Sequence, residues 1–411
     1  MYPDLSYLFH DLFGTSVDNW TSIFKTFGLM LALAFVACAF LLKSELKRKE
    51  EDGLLKPFKA KKIEGEVPTL NETLMNGVIL GILASKIPVI IHSFDRFTAD
   101  PASVLFSGEG HWWIGILIII GLFAYRYFKY KDADKPKEVE VLVHPYQKTM
   151  DIIFMAAISG VVGSKLFSIF ENLDSFFADP IGQLFSGSGL TIYGGVILAF
   201  IVVYRFVSKN GIKPIYMMDI AAMGILLGYG IGRIGCQLAG DGDWGIEAAM
   251  QPSWWFLPDW LWSFSYPRNV ANDGILLSSC DPEAYKATFE GAKMAIEQHC
   301  QTACGMRYCH ELIPKVYPTP IWETIVSLLG FGLLWMLRKR IKIAGMLFFI
   351  YMIYNGLERF LVEFVRVNEH YNFLGFYWSQ AQFISIAFII IGVIGVVYLS
   401  RKSPGWELEE K

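Results

Sequence analysis

Charge is scarce in this chain. Of its 411 residues only 18% are Asp, Glu, Lys or Arg, against roughly a quarter in an ordinary soluble domain. Together with 54% hydrophobic residues, that scarcity argues against a water-soluble globular protein. The formal net charge of −3 gives no reason to expect a nucleic-acid partner. The first 20 residues lack both a basic leader and a small-residue cleavage site, so no cleaved signal peptide is expected.

What the chain does contain is long apolar runs. A bilayer crossing needs about 20 residues for a hydrocarbon core of about 30 Å. Runs of that kind lie near 24–43, 73–93, 112–129, 149–170, 190–208, 215–236, 319–338, 343–365 and 378–400. The expected fold is therefore all-α, a polytopic helical membrane protein with about nine spans.

The few charges alternate. Lys43, Lys47, Arg48, Lys49, Lys56, Lys59, Lys61 and Lys62 follow the first span, while the next short loop has only Arg96. Arg126, Lys129, Lys131, Lys135 and Lys137 come next, and then a loop at 171–189 without any Lys or Arg. Arg205, Lys209 and Lys213, then Arg338, Lys339, Arg340 and Lys342, and finally Arg401 and Lys402 complete the basic set. By the positive-inside rule, every second connection is cytoplasmic, so the N-terminus lies outside and the C-terminus inside.

That topology puts the 239–318 segment outside. It carries Cys280, Cys300, Cys304 and Cys309, candidates for two disulfides in an oxidising compartment such as a periplasm. A zinc site is the alternative, although the spacing fits no common ligand pattern. Pairing is left open. The same segment holds Trp254, Trp255, Trp260 and Trp262, a density suited either to a surface at headgroup level or to the core of a small head.

Shifting the chain by 79 residues reveals a repeat of two spans joined by an outer loop. Gly81, Ser85, Lys86, Asp95, Phe97, Ala99, Asp100, Pro101, Leu105, Phe106, Ser107, Gly108, Gly110 and Gly115 recur as Gly160, Ser164, Lys165, Asp174, Phe176, Ala178, Asp179, Pro180, Leu184, Phe185, Ser186, Gly187, Gly189 and Gly194. An even number of spans can be duplicated without reversing anything downstream. The copies differ at one place, Ile114-Gly115-Ile116 in the first against Tyr193-Gly194-Gly195 in the second. Only the copy with the paired glycines is expected to make close contact with a ligand. Parallel repeats also occur in transporters, which should show polar, broken helices in both copies.

Ionisable residues within spans are costly and point to cavities or partners. They are Lys86, Lys165, Asp219, Arg233, Glu323, Glu358, Arg359 and Glu363. Lys86 is expected to snorkel toward a headgroup. Arg233 sits among the glycines of Gly228-Tyr229-Gly230-Ile231-Gly232-Arg233-Ile234-Gly235, and its planar donor fork suits a phosphate. Arg359, Glu363 and Arg366 share one helical face, which permits either a plain intrahelical salt bridge or an arginine oriented by a carboxylate. Two arginines from different spans then converge at one depth, where a phospholipid headgroup is the natural anion.

These residues resemble the prolipoprotein diacylglyceryl transferases of bacterial inner membranes. Gly232-Arg233-Ile234-Gly235 followed by Gly240-Asp241-Gly242-Asp243-Trp244-Gly245 looks like a variant of that family's signature. Tyr317-Pro318-Thr319-Pro320-Ile321-Trp322-Glu323, the Arg359–Arg366 element, Met218-Asp219, Ala178-Asp179-Pro180 and Gln382-Phe383-Ile384-Ser385 are similar to further family motifs. The likeness covers the first span and everything from Tyr146 onward. Two departures stand out: the family's His-Gly-Gly is Tyr193-Gly194-Gly195 here, and its Asn-Phe-x-Asn-Gly-Glu is Cys236-Gln237-Leu238-Ala239-Gly240-Asp241.

The resemblance implies transfer of the diacylglyceryl group of phosphatidylglycerol to a lipobox cysteine of a prolipoprotein, with release of glycerol phosphate. It implies no cofactor and no metal. Arg233, Arg359, Tyr193 and Asp241 are the candidate catalytic residues. Gly194, Gly195, Asp219, Gln237, Glu323, Glu363 and Lys165 are candidates for binding substrate. A catalytically inactive relative that binds phospholipid or prolipoprotein is the alternative, since histidine promotes a thiolate better than tyrosine. The expected divisions are 1–72 with the first span and a basic loop, 73–130 as an extra repeat copy, 146–238 as the catalytic body, 239–318 as a periplasmic head and 319–411 as the last spans.

Overall fold

The computed structural model describes residues 1–402 apart from 65–66, 100–103, 106, 132–136, 186–190, 281–299, 301–303, 369 and 374–375. In chain order the main elements are α1 (Leu5–Phe13), α2 (Thr26–Glu51), β1 (Phe58–Glu64), α3 (Leu70–His92), α4 (Trp112–Tyr130), β2 (Lys137–Val143), α5 (Thr149–Glu171), α6 (Ile192–Lys209), α7 (Pro214–Ala239), α8 (Thr319–Leu337), α9 (Met346–Val362) and α10 (Gln380–Lys402). Sheets among the described residues are two-stranded only. The polytopic helical expectation holds. Seven of these helices are long and apolar enough to cross a membrane; α6 and α9, at 18 and 17 residues, occupy the other two expected spans at the short end of what a bilayer accepts.

The chain forms two compact units, one of Met1–Leu54 with Lys213–Lys411, the other Leu55–Ile212. The second unit holds both repeat copies. In the first copy, α3 opens with a Thr69/Glu72 capping box. The α3 and α4 backbones touch at Gly81 and Gly115, where a methyl on Gly81 would lie 2.9 Å from the Gly115 carbonyl oxygen. The antiparallel ladder from Phe58↔Val143 to Glu64↔Lys137 staples the ends of this hairpin together.

In the second copy, α5 and α6 approach through Gly163 and Gly194, and Gly195 packs against the Gly160 carbonyl and Ser164. The glycine replacing Ile116 thus lets the helices meet closely. The repeated serines also explain themselves, because the carbonyls of Ser85 and Ser164 accept the His111 and Thr191 amides that start the returning helices. Lys86 does not snorkel. It is fully buried, and its Nζ donates to Ser107 Oγ (3.1 Å) and to the Ser107 and Glu109 carbonyls, holding the outer loop down. Asp100, Pro101, Phe106, Ser186, Gly187 and Gly189 of the repeat lie outside the described residues.

In the first unit, α7 packs against α2, α8 and α9, and α9 against α10, around Leu41, Met223, Leu226, Leu334, Leu347 and Tyr351. Gly240 in the left-handed region (φ 64°) ends α7 and turns the chain into the head. The head has its own small core of Trp244, Tyr266 and Leu312. Its cysteines form two disulfides, Cys280–Cys304 and Cys300–Cys309.

The N-terminal segment rests on this head. Tyr2 N donates to the Leu238 carbonyl (2.8 Å), Tyr308 N to Tyr7 Oη (3.2 Å), and Arg268 pairs with Asp11 (3.0 Å).

Candidate active site

Four elements of the first unit bring ionised side chains to the head end. Arg233 comes from the last turns of α7, Asp243 from the turn after it, Glu323 from the second turn of α8, and Arg359, Glu363 and Arg366 from the end of α9 and the stretch after it. Each origin has a local cause. The Gly240 left-handed cap and Gly242 (φ 96°) reverse the chain so that Asp243 points back at Arg233. Pro320 in the first turn of α8 starts that helix where Glu323 faces inward.

Glu323 is completely buried and is the centre of the cluster. Its Oε2 lies 2.5 Å from Arg233 Nε and accepts from the Tyr229 hydroxyl, while its Oε1 accepts from Arg366 Nη1 at 2.8 Å and lies 3.9 Å from Arg359. Asp243 joins the same two cations through its other face: Oδ2 to Arg233 Nη1, and Oδ1 to Arg366 Nη2 at 2.8 Å. Burial alone would raise the Asp243 carboxyl. The guanidiniums of Arg233 and Arg366 outweigh it and hold the group below the usual carboxylate range. Arg366 is likewise opposed by burial but kept firmly cationic by Glu323 and Asp243.

Arg359 differs from the other two arginines. Its side chain is 26% exposed against 9% for Arg233 and 10% for Arg366. It holds Glu363 at 3.2 Å along its own helix, and Glu363 in turn accepts from Asn368 at 2.6 Å. The sequence left open a plain intrahelical pair or an oriented arginine. The geometry combines them, because the Arg359–Glu363 pair is also joined to Glu323. Three guanidiniums face three carboxylates in these ion pairs, and one arginine edge stays open.

The predicted residues distribute unevenly. Arg233, Arg359, Glu323 and Glu363 come together. Asp241 is exposed beside them and accepts the Asp243 amide at 3.4 Å. Gln237 lies on the head side of α7, taking the Tyr266 hydroxyl at 2.8 Å. Asp219 is near the opposite end of α7, roughly 21 Å along the helix from Arg233. Both its oxygens are engaged there, accepting from Gly345 N (2.8 Å) and Phe348 N (3.1 Å) at the start of α9. Gly194 and Gly195 are buried at the α5–α6 crossing of the other unit, where Tyr193 is 41% exposed and Lys165 is half-buried in α5.

Sequence reasoning passed over Asp243, Tyr229 and Arg366 as site residues. The signal was present: Arg366 ends the Arg-x-x-x-Glu-x-x-Arg element, and Asp243 directly precedes Trp244-Gly245. Spacing alone cannot say which acid of an Asp-Gly-Asp turn folds back.

Known proteins resemble this chain in sequence. Residues 106–398 match the family described as prolipoprotein diacylglyceryl transferase. Proteins called phosphatidylglycerol–prolipoprotein diacylglyceryl transferase align over most of the chain. One from Streptococcus pneumoniae is 23% identical over 316 residues, 76% of this chain and 98% of its own length. One from Dehalococcoides mccartyi is 25% identical over 309 residues, 75% and 96% respectively. One from Streptococcus mutans is 25% identical over 293 residues, 70% and 91%. This chain belongs to the prolipoprotein diacylglyceryl transferase family.

Proposed function

We propose that this transferase moves the sn-1,2-diacylglyceryl group of phosphatidylglycerol onto the thiol of a lipobox cysteine during lipoprotein maturation. The carrying observation is the buried arginine–carboxylate cluster with its one open arginine, in a chain of this family. The thiolate sulfur forms a bond to the glyceryl methylene carbon, the bond from that carbon to the phosphate oxygen breaks, and glycerol phosphate leaves. The thiol proton passes to solvent or to a neighbouring base. Because the carbon attacked is saturated, the demand is for stabilisation of charge on the departing phosphate rather than for an oxyanion hole.

Arg359 meets that demand as the cation that touches the phosphate, being the most exposed of the three and the most loosely held by Glu323. Arg233 and Arg366 act as positioning residues: locked to Glu323 and Asp243, they keep the site preorganised around Arg359. A free thiol titrates at about 8.5, so the cationic edge needs to supply only a modest push toward thiolate. Tyr193 is then not a strict base. The topology fits this role in an inner membrane, with the N-terminus, head and cluster periplasmic and the basic ends cytoplasmic, where exported precursors meet phospholipid.

The tyrosine at the family's histidine position favours one second reading, a relative that binds lipid or precursor without transfer. One experiment separates the two. Purified protein is incubated with phosphatidylglycerol and a lipobox peptide, and the peptide is weighed by mass spectrometry. A diacylglyceryl adduct that disappears in Arg359→Ala is the expected result. No adduct in any of several detergents sinks the transferase reading.

A further inference from the structure

The head carries an apolar loop that neither the cluster nor the head core uses. From Ala248 to Pro267 the only charged residue is Asp259, and it is occupied by Gln251 Nε2 at 3.1 Å. Large apolar side chains face outward from this loop: Met250 is 95% exposed, Phe256 87%, Trp254 69% and Trp260 47%. These residues are not head core, which consists of Trp244, Tyr266 and Leu312.

Nor is the loop slack. Trp262 Nε1 donates to the Ala249 carbonyl (2.8 Å), Trp262 N to the Asp259 carbonyl (2.9 Å) and Trp255 N to the Pro252 carbonyl (3.0 Å). A loop tied down by such bonds while turning Met, Phe and Trp outward is made to meet an apolar medium.

Its neighbours say which medium. Trp255, Trp262, Tyr317 and Trp322 pack in a row, the first two pairs edge to face and the last tilted, with ring centroids 5.1, 5.7 and 5.3 Å apart. Trp322 belongs to the first turns of α8, a membrane-crossing helix, and its Nε1 donates to the Leu261 carbonyl at 2.7 Å. The apolar loop therefore continues the lipid-facing surface of α8 at the level where that helix enters the bilayer, the depth favoured by aromatic belts. The base of the loop is also the wall of the cluster. Gly245 N donates to the Tyr317 carbonyl (2.9 Å) and Ile246 N to the Val365 carbonyl (2.8 Å), one residue from Arg366 and two from Asp243.

We infer that the 249–262 loop is seated in the head-end leaflet, as the lip across which a phospholipid reaches the arginine cluster. The seat is independent of the transferase reading; the supply of lipid rests on it. The seat is tested on full-length protein in nanodiscs of phosphatidylglycerol and phosphatidylcholine. Nitroxides are placed singly at Met250→Cys and Phe256→Cys in a Cys38→Ser background, with Ala271→Cys on the head and Leu329→Cys in α8 as references. Oxygen should relax both loop labels and a water-soluble nickel chelate should not, placing them about 5–10 Å into the headgroup–acyl boundary. Nickel access equal to that at Ala271 overturns the seat, and so does exclusion of both reagents, which would mean a protein cover.

The supply is tested with Trp254→Ser/Phe256→Ser. The apparent KM for phosphatidylglycerol in vesicles should rise at least roughly threefold with kcat unchanged. An unchanged KM, or an equal loss in kcat, overturns the lip role while leaving both the depth result and the peptide adduct intact.

Discussion

The first unit buries ionised groups at both ends of its helices, and the two ends are built differently. At the basic end, Asp219 gives both oxygens to backbone amides that open α9, a helix whose own cap position is Gly345 and offers no side-chain acceptor. Nearby Glu45 is fully buried between Arg48 at 2.7 Å and Arg338 at 2.9 Å, joining the lower ends of α2 and α8. At the head end, by contrast, Glu323 and Asp243 are held by side chains from three other segments, and one of those cations keeps an open edge. A carboxylate locked by backbone amides or between two arginines fixes helices in place. A cluster in which one cation keeps an exposed edge can take up an incoming anion. Of the two buried charge groups, the one with an open cation is the candidate for function.

That contrast can be broken by substitution. The largest effect is expected for Arg359→Ala, which should lower peptide diacylglyceryl transfer roughly 100- to 1,000-fold with little change in thermal stability. A variant with near-normal activity in the mass-spectrometric assay would remove Arg359 from the chemistry. Glu323→Gln should reduce both properties, because losing one partner of a buried network leaves charges uncompensated at a cost of about 3–5 kcal/mol. Its apparent Tm in detergent should drop well below that of Arg359→Ala; equal melting would mean the cluster contributes nothing to holding α7, α8 and α9 together.

Asp219→Ala should behave as a helix-cap loss, costing about 1 kcal/mol while leaving activity per folded molecule intact. Full inactivation at unchanged Tm would show that the two ends are not separate after all. The smallest effect is expected for Tyr193→Phe, which should retain most transfer activity. Complete loss with lipid binding preserved would make that hydroxyl the base.

Acid offers a further contrast on the same cluster. The Asp243 carboxyl is depressed in the folded state, so the stability it adds is fully present above the ordinary carboxylate range. It disappears only as pH falls through the lower, folded value. Melting temperature followed from neutral pH downward should therefore fall less steeply in Asp243→Asn than in the parent chain.

Much of this was legible in the amino-acid order, and for definite reasons. Bilayer solvation forces every spanning segment to announce itself as an apolar run, so the helical fold followed from composition and spacing. Arg233, Arg359, Glu323 and Glu363 stood out because ionised groups within spans are rare. The repeat was visible as well, although what Gly195 packs against was not. Its replacement of Ile116 reads equally as room for a ligand or as room for α5.

What only the tertiary structure decided is which groups meet. Sequence could nominate Asp241 or Asp243, but the positive φ of Gly240 and Gly242 selected Asp243 for Arg233 and Arg366. Likewise, only packing revealed that Asp219 completes another helix, that Lys86 holds its own loop, and that Trp254 and Trp260 face outward from the head. The division has one physical cause. Insertion into a membrane depends on local hydrophobicity and local charge, which a sequence displays directly. The pairing of buried ions depends on rotations and depths of helices far apart in the chain, which packing sets.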